Sequence, residues 1–158
     1  SHCAGSAVAV RILRALEGDD KNAVAHFVAG GSIPPAKPVK RNIWRTVPLF
    51  AWKAMLKKAG APFVALEKEQ VGDVYARYLL DTDLYFDTFA MQCNKLHCPV
   101  SLLMSKEDVF TKKYDSATMI WERYFSKVHS VRYIAADTHY FQSENSEETA
   151  EFLLSVFE

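Results

Sequence analysis

Residues 1–5 read Ser1-His2-Cys3-Ala4-Gly5, and from Cys3 to Leu16 apolar residues recur at helical spacing. Ala7, Val8, Val10, Ile12, Leu13 and Leu16 supply them, and Gly18, Asp19 and Asp20 end the run. A small residue two before a nucleophile and a glycine two after it, leading straight into a helix, is the pattern of a strained strand-to-helix turn at the tip of a sheet. Small side chains at those places let the backbone pass closely. The helix start carries a partial positive charge that favours an anion at Cys3, and the Ala4 N–H is one oxyanion donor. Five residues alone also fit a cysteine buried at a helix start, so the rest of the chain must decide.

Downstream, AVAHFVA (23–29) lies between Asn22 and Gly30-Gly31 and reads as a buried strand. Ser32 to Pro48 holds four prolines and reads as an irregular crossing. Leu49 to Lys58 is an amphipathic helix stopped by Gly60 and Pro62, and Leu66–Leu80 and Thr82–Gln92 read as two more helices rich in Tyr and Phe. PVSLLM (99–104) is a strand, 117–127 a helix, VRYIAA (131–136) a strand and Ser146–Phe157 a closing helix. Asn145 stands as its N-cap, with Glu148 three residues on. Strands alternating with helices predict an α/β fold with a parallel sheet flanked by helices. The helical stretch from about 49 to 92 interrupts the alternation and reads as an insertion above the sheet.

A nucleophile needs a base, and the base an orienting acid. In α/β-hydrolases the order along the chain is nucleophile, acid, histidine. The strand 99–104 runs into Ser105-Lys106-Glu107-Asp108, and the strand 131–136 runs into Asp137-Thr138-His139. Asp108 and His139 therefore stand at carboxyl ends of strands, where open α/β sheets place their sites. Glu107 is adjacent to Asp108, and Asp137 is also close. His26 lies within a strand, as a packed residue. His97 and His129 fall at the opposite edge of the sheet, and His2 turns away from Cys3. Cys93 and Cys98 read as structural.

The chain of 158 residues is 49% apolar, 24% charged and 13% aromatic, which suits one core. No apolar run reaches the ~20 residues of a spanning helix, and no basic-then-apolar leader stands at the start. Nineteen basic and nineteen acidic residues cancel, which argues against a general nucleic-acid binder. Three scattered cysteines suggest neither a disulfide framework nor a zinc site and fit a reducing, cytoplasmic compartment. No metal or redox cofactor is implied. Charge is uneven, however: Lys21 to Leu66 carries eight basic residues and no acid, and Glu67 to Asp87 six acids against two bases. Such patches are solvated faces, or they steer an oppositely charged partner.

SHCAGSAVAVRILRALE (1–17) resembles the elbow and helix of the thioesterases of nonribosomal peptide and polyketide synthesis, where the usual run is Gly-His-Ser-x-Gly-Gly. HFVAGGSIPP (26–35) resembles the strand and turn that follow, and CPVSLLMSKEDVFT (98–111) the strand and acid loop. AADTHYFQSENSEETAEFLLSVF (135–157) resembles the histidine loop and final helix. In the discrete, type II members the acid follows the later strand, as Asp108 does, and YLLDTDLYFDTF (78–89) is also similar to that subgroup. Ser1 and Ser6 replace glycines of the motif. Cys3 replaces serine, either as a natural cysteine nucleophile or as an engineered exchange.

The resemblance implies an α/β-hydrolase fold with a lid at about 33–92 and a Cys3–His139–Asp108 triad. The substrate would be an acyl or peptidyl group on the phosphopantetheine of a carrier protein. Trp44, Phe50, Trp52, Tyr85, Phe86 and Phe89 are the expected lining of the lid. Lys37, Lys40 and Arg41 are the expected docking residues for an acidic carrier. The family has about half of its sheet before the elbow, so the chain is expected to be the C-terminal part of such a domain. A carboxylesterase or dienelactone-type hydrolase shares the triad order, and a degenerate hydrolase fold acting as a binding module is the non-enzyme alternative.

Overall fold

The computed structural model describes residues 1–20, 23–36, 46–61, 68–91, 93–111 and 114–157. Its elements are α1 (Gly5–Asp19), β1 (Phe27–Gly30), α2 (Leu49–Lys58), α3 (Lys68–Ala90), β2 (Val100–Ser105), α4 (Ala117–Trp121), β3 (Val128–Ile134), α5 (Phe141–Glu144) and α6 (Ser146–Phe157). The three strands form one parallel sheet in the order β1-β2-β3. All six residues of β2 are buried, as expected of a central parallel strand covered on both faces.

The first residues add to this sheet. The Ser1 ammonium donates to the Val28 carbonyl at 2.8 Å, Gly30 N–H to Ser1 O at 2.8 Å and Cys3 N–H to Gly30 O at 3.0 Å. Residues 1–3 thus run parallel beside β1 before the chain turns into α1. Ala7, Val10 and Leu13 of α1 pack with Phe27, Ala29, Leu102, Met104, Trp121 and Phe125 in one core, while Leu103, Ile134, Phe141 and Phe152 form a second. Helices therefore cover the sheet on both sides, the expected α/β architecture.

Several boundaries differ from the sequence reading. Residues 23–26 lie outside β1, and His26 precedes the strand instead of sitting inside it. The helix expected over 117–127 ends at Trp121, because Phe125 pairs as a bridge with Leu96. β3 starts at Val128, so His129 lies in a strand and not at a helix end.

Two helices were expected around Asp81, where one continuous α3 forms. Asp and Thr disfavour a helix by offering the backbone competing bonds. Here Thr82 Oγ1 donates to the Tyr78 carbonyl and Thr88 Oγ1 to Leu84, both at 2.7 Å, which keeps those side chains inside the helical ladder. Arg11 of α1 bonds Thr88 at 2.8 Å and ties α3 to the body of the fold.

Candidate active site

Cys3 occupies the left-handed region with φ +51°, the one described residue other than glycine to do so. A side chain there costs local strain, which the sheet bonds before the turn and the helical bonds after it hold in place. Gly5 N–H bonds His2 O and Ser6 N–H bonds Cys3 O, closing the tight turn into α1. The Ala4 N–H donates to no described group and is directed by the first turn of the helix.

Asp108 and His139 meet at the carboxyl ends of β2 and β3. His139 Nδ1 lies 2.7 Å from Asp108 Oδ2, with both side chains almost fully buried. The carboxylate also accepts from Thr111 Oγ1 and from the Phe110 N–H, each at 2.8 Å. Glu107 and Asp137, the other carboxylates of these loops, point to solvent.

The opposite imidazole nitrogen, His139 Nε2, is buried without a well-formed hydrogen bond among the described residues. Burial opposes charging of His139, but the hydrogen bond it donates to Asp108 and then the interaction with Cys3 outweigh it and lift the imidazole to about 9. For Asp108 burial likewise opposes ionisation, and His139, the Phe110 N–H and Thr111 together hold it below the usual carboxylate range.

The insertion roofs these residues. A cleft of about 460 Å³ has Cys3, Ala4, Gly31 and His139 on one wall and Trp52, Leu56, Tyr78, Tyr85 and Phe86 on the other. Burial raises the hydroxyls of Tyr78, Tyr85 and Tyr140, and negative charge at Cys3 adds to that push in all three. Tyr85 OH is held 2.9 Å from Ser32 Oγ. The roof is joined directly to the histidine loop: His139 N–H donates to Ala59 O at 2.9 Å, just past α2. At Gly60, φ +78°, a Cβ would lie 2.5 Å from Thr138 Cγ2.

Two of the expected lining residues are elsewhere. Phe50 is 75% exposed, because it lies about 200° around α2 from the inward-facing Trp52. Phe89 is buried in the core beneath the cleft, edge-on to Trp121 and Tyr124. Trp52, Tyr85 and Phe86 do line it. Trp44, Lys37, Lys40 and Arg41 lie outside the described residues. Cys98 is buried, and Cys93 is exposed.

His2, which the sequence sets aside as turning away from Cys3, packs its ring on His139 with centroids 4.6 Å apart, and its Nε2 lies 2.9 Å from the His139 carbonyl oxygen. The glycine pair after β1 was the available signal. Gly31 has φ +53°, and a Cβ there would come 2.6 Å from His2 Nε2 and 3.2 Å from His139 Cε1. No group of His, Cys, Asp and Glu among the described residues could hold a metal ion.

No protein-family model matches the sequence, and no curated protein matches it. Among solved structures the chain is similar to ClbQ from the colibactin NRPS/PKS pathway, at TM-score 0.70 and 16% identity over 96% of this chain and 64% of that one. The chain shares its α/β fold with this structure. Human thioesterase 2 superimposes at TM-score 0.69 and 14% identity, covering 98% of this chain and 69% of that one. BorB, a type II thioesterase from the borrelidin biosynthetic cluster, gives 0.60 and 13%, covering 94% and 60%. The chain thus spans between three fifths and seven tenths of these hydrolase structures, and at such identities the likeness is one of fold. Among the described residues no helix is long and apolar enough to cross a membrane.

Proposed function

We propose that this chain cleaves or transfers acyl or peptidyl groups held as thioesters on the phosphopantetheine arm of a carrier protein. The observation that carries the reading is the buried Asp108–His139 pair, whose other ring nitrogen makes no well-formed hydrogen bond, in an apolar cleft that a strained Cys3 also lines. The fold shared with thioesterases of synthase pathways supports the substrate class.

In the proposed reaction the Cys3 proton already rests on His139 Nε2, and the Cys3 thiolate attacks the thioester carbonyl. Asp108 holds the imidazolium, and the Ala4 N–H faces the developing oxyanion. Collapse breaks the bond to the pantetheine sulfur, which leaves with the proton from His139. Water, deprotonated by His139, then attacks acyl-Cys3 and releases a carboxylate, or a substrate amine or hydroxyl does so and gives an amide or ester. Acyl-Cys3 is itself a thioester, so acylation is nearly isoenergetic and the acyl group stays activated for transfer. The insertion at about 33–92 acts as the lid, with Trp52, Tyr85 and Phe86 against the acyl chain. No cofactor of its own is required.

Release of free thiol from acyl-pantetheine thioesters and from acyl-carrier protein tests this, with intact-mass detection of acyl-Cys3. Cys3→Ala should abolish both signals. Turnover of aryl esters with none of thioesters would make the chain an esterase. Thiol labelling of Cys3 without any turnover would make it a binding module. Reversing Lys37, Lys40 and Arg41 to Glu should weaken carrier turnover and spare a small soluble thioester, most visibly at low salt.

A further inference from the structure

We propose that His2 is a positioning residue: its Nε2–H clamps the His139 carbonyl and so keeps the base aligned between Asp108 and Cys3. The inference rests on the proposed function and adds a residue to it. His2 immediately precedes Cys3, and its backbone is fixed in the ladder with Gly30. The element that presents the nucleophile therefore also holds the base, which fixes the distance between the two.

The geometry is that of a fitted slot. The His2 ring lies over Gly30 and Gly31, where added Cβ atoms would stand 3.5 Å from its Cδ2 and 2.6 Å from its Nε2. Phe141 closes the slot edge-on at 5.8 Å between centroids. Nε2 faces a carbonyl, so it carries the hydrogen and donates at 2.9 Å. Burial first, and then the charge of His139, push His2 down to about 4, which leaves it neutral at ordinary pH and removes repulsion against a protonated His139. The His139 N–H is bonded to Ala59 at 2.9 Å, so both backbone polar groups of the base are engaged, one from the elbow and one from the roof.

Loss of the clamp leaves the fold but frees the His139 peptide to rotate, and displacements near 1 Å at a reacting group cost on the order of 10²-fold in rate. The test compares His2→Gln, which keeps an N–H donor at the same reach, with His2→Phe, which keeps a ring without a donor. His2→Asn is a smaller variant whose amide stops short of the carbonyl, and it decides the matter if His2→Phe does not fold. On a soluble acyl-pantetheine thioester, His2→Phe and His2→Asn should lower kcat by about 10- to 100-fold with KM within about twofold, and His2→Gln should restore most of it.

The low-field proton resonance of His139 Nδ1 against Asp108 supplies a readout independent of turnover. It should persist in the wild type and His2→Gln and broaden or vanish in His2→Asn. That pattern in a chain that turns over no thioester would sustain the clamp and sink the thioesterase reading alone. An unchanged resonance and kcat in folded His2→Asn would overturn the clamp, as would equal losses in His2→Gln and His2→Asn.

Discussion

The two ends of the same parallel strands each hold a histidine hydrogen bond, buried at one end and half-buried at the other, and they treat the proton in opposite ways. At the carboxyl end His139 bonds Asp108 at 2.7 Å and is lifted to about 9. At the amino end His26 Nε2 bonds Ser101 Oγ at 2.9 Å, Ser101 bonds Ser130 at 2.8 Å, and the His129 ring stands edge-on at 5.2 Å. There burial, with the charges of His129 and Lys127, pushes His26 below its ordinary value. The hydrogen bonds are similar in length. What differs is the partner's charge: a carboxylate stabilises an imidazolium, whereas a hydroxyl satisfies the nitrogen without paying for its charge. Only the first arrangement suits a base that must carry a proton midway through a reaction.

Replacing the charge and keeping the shape is the sharpest way to break this contrast. Asp108→Asn should lower thioester turnover by about 10³- to 10⁴-fold, with the fold retained by circular dichroism, since the amide no longer stabilises the imidazolium. The same change should alter stability against pH. In the wild type the folded chain binds a proton on His139 between 6.5 and about 9 that the unfolded chain has lost. That contribution is complete below pH 6.5 and is lost as pH rises through about 9, so the heat-denaturation midpoint should fall over this window and fall less in Asp108→Asn. His26 has the reverse sign, with its contribution present above pH 6.5 and lost on acidification.

A second contrast lies within the roof. Trp52→Ala should destabilise the insertion by about 3–5 kcal/mol in chemical denaturation, because it empties a buried cluster with Leu56, Ala61 and Val71. Phe50→Ala, on the solvent side of the same helix, should stay within about 0.5 kcal/mol of wild type. Equal losses would overturn the assignment of Trp52 to the inner face and Phe50 to the outer face of the helix.

A smaller effect than that of Trp52→Ala is expected at the amino end. Ser101→Ala should cost about 1–2 kcal/mol and leave turnover within about twofold, since it removes the two structural hydrogen bonds to His26 and Ser130, both remote from Cys3. A loss of activity comparable with that of Asp108→Asn would show that the two ends are not independent.

What could be read in the chain depended on whether local rules controlled it. The helix 49–58, the closing helix 146–157 and the central apolar strand were legible because spacing, glycine and proline act within a few residues. The length of α3 was not, because Thr82 and Thr88 satisfy their hydroxyls on the helix itself, and that choice is stabilised by packing against α1.

The sequence by itself determined the order of Cys3, Asp108 and His139, and the loops that carry them, because a tight strand-to-helix turn and two strand ends follow from local pattern and from the parallel alternation. Only the tertiary structure decided which carboxylate meets His139, since Asp108 is buried among three donors while Glu107 and Asp137 face water. It alone turned Trp52 inward and Phe50 outward. It alone laid His2 across two glycines onto a histidine 137 residues away, a contact between chain segments that meet through the sheet and through no local rule.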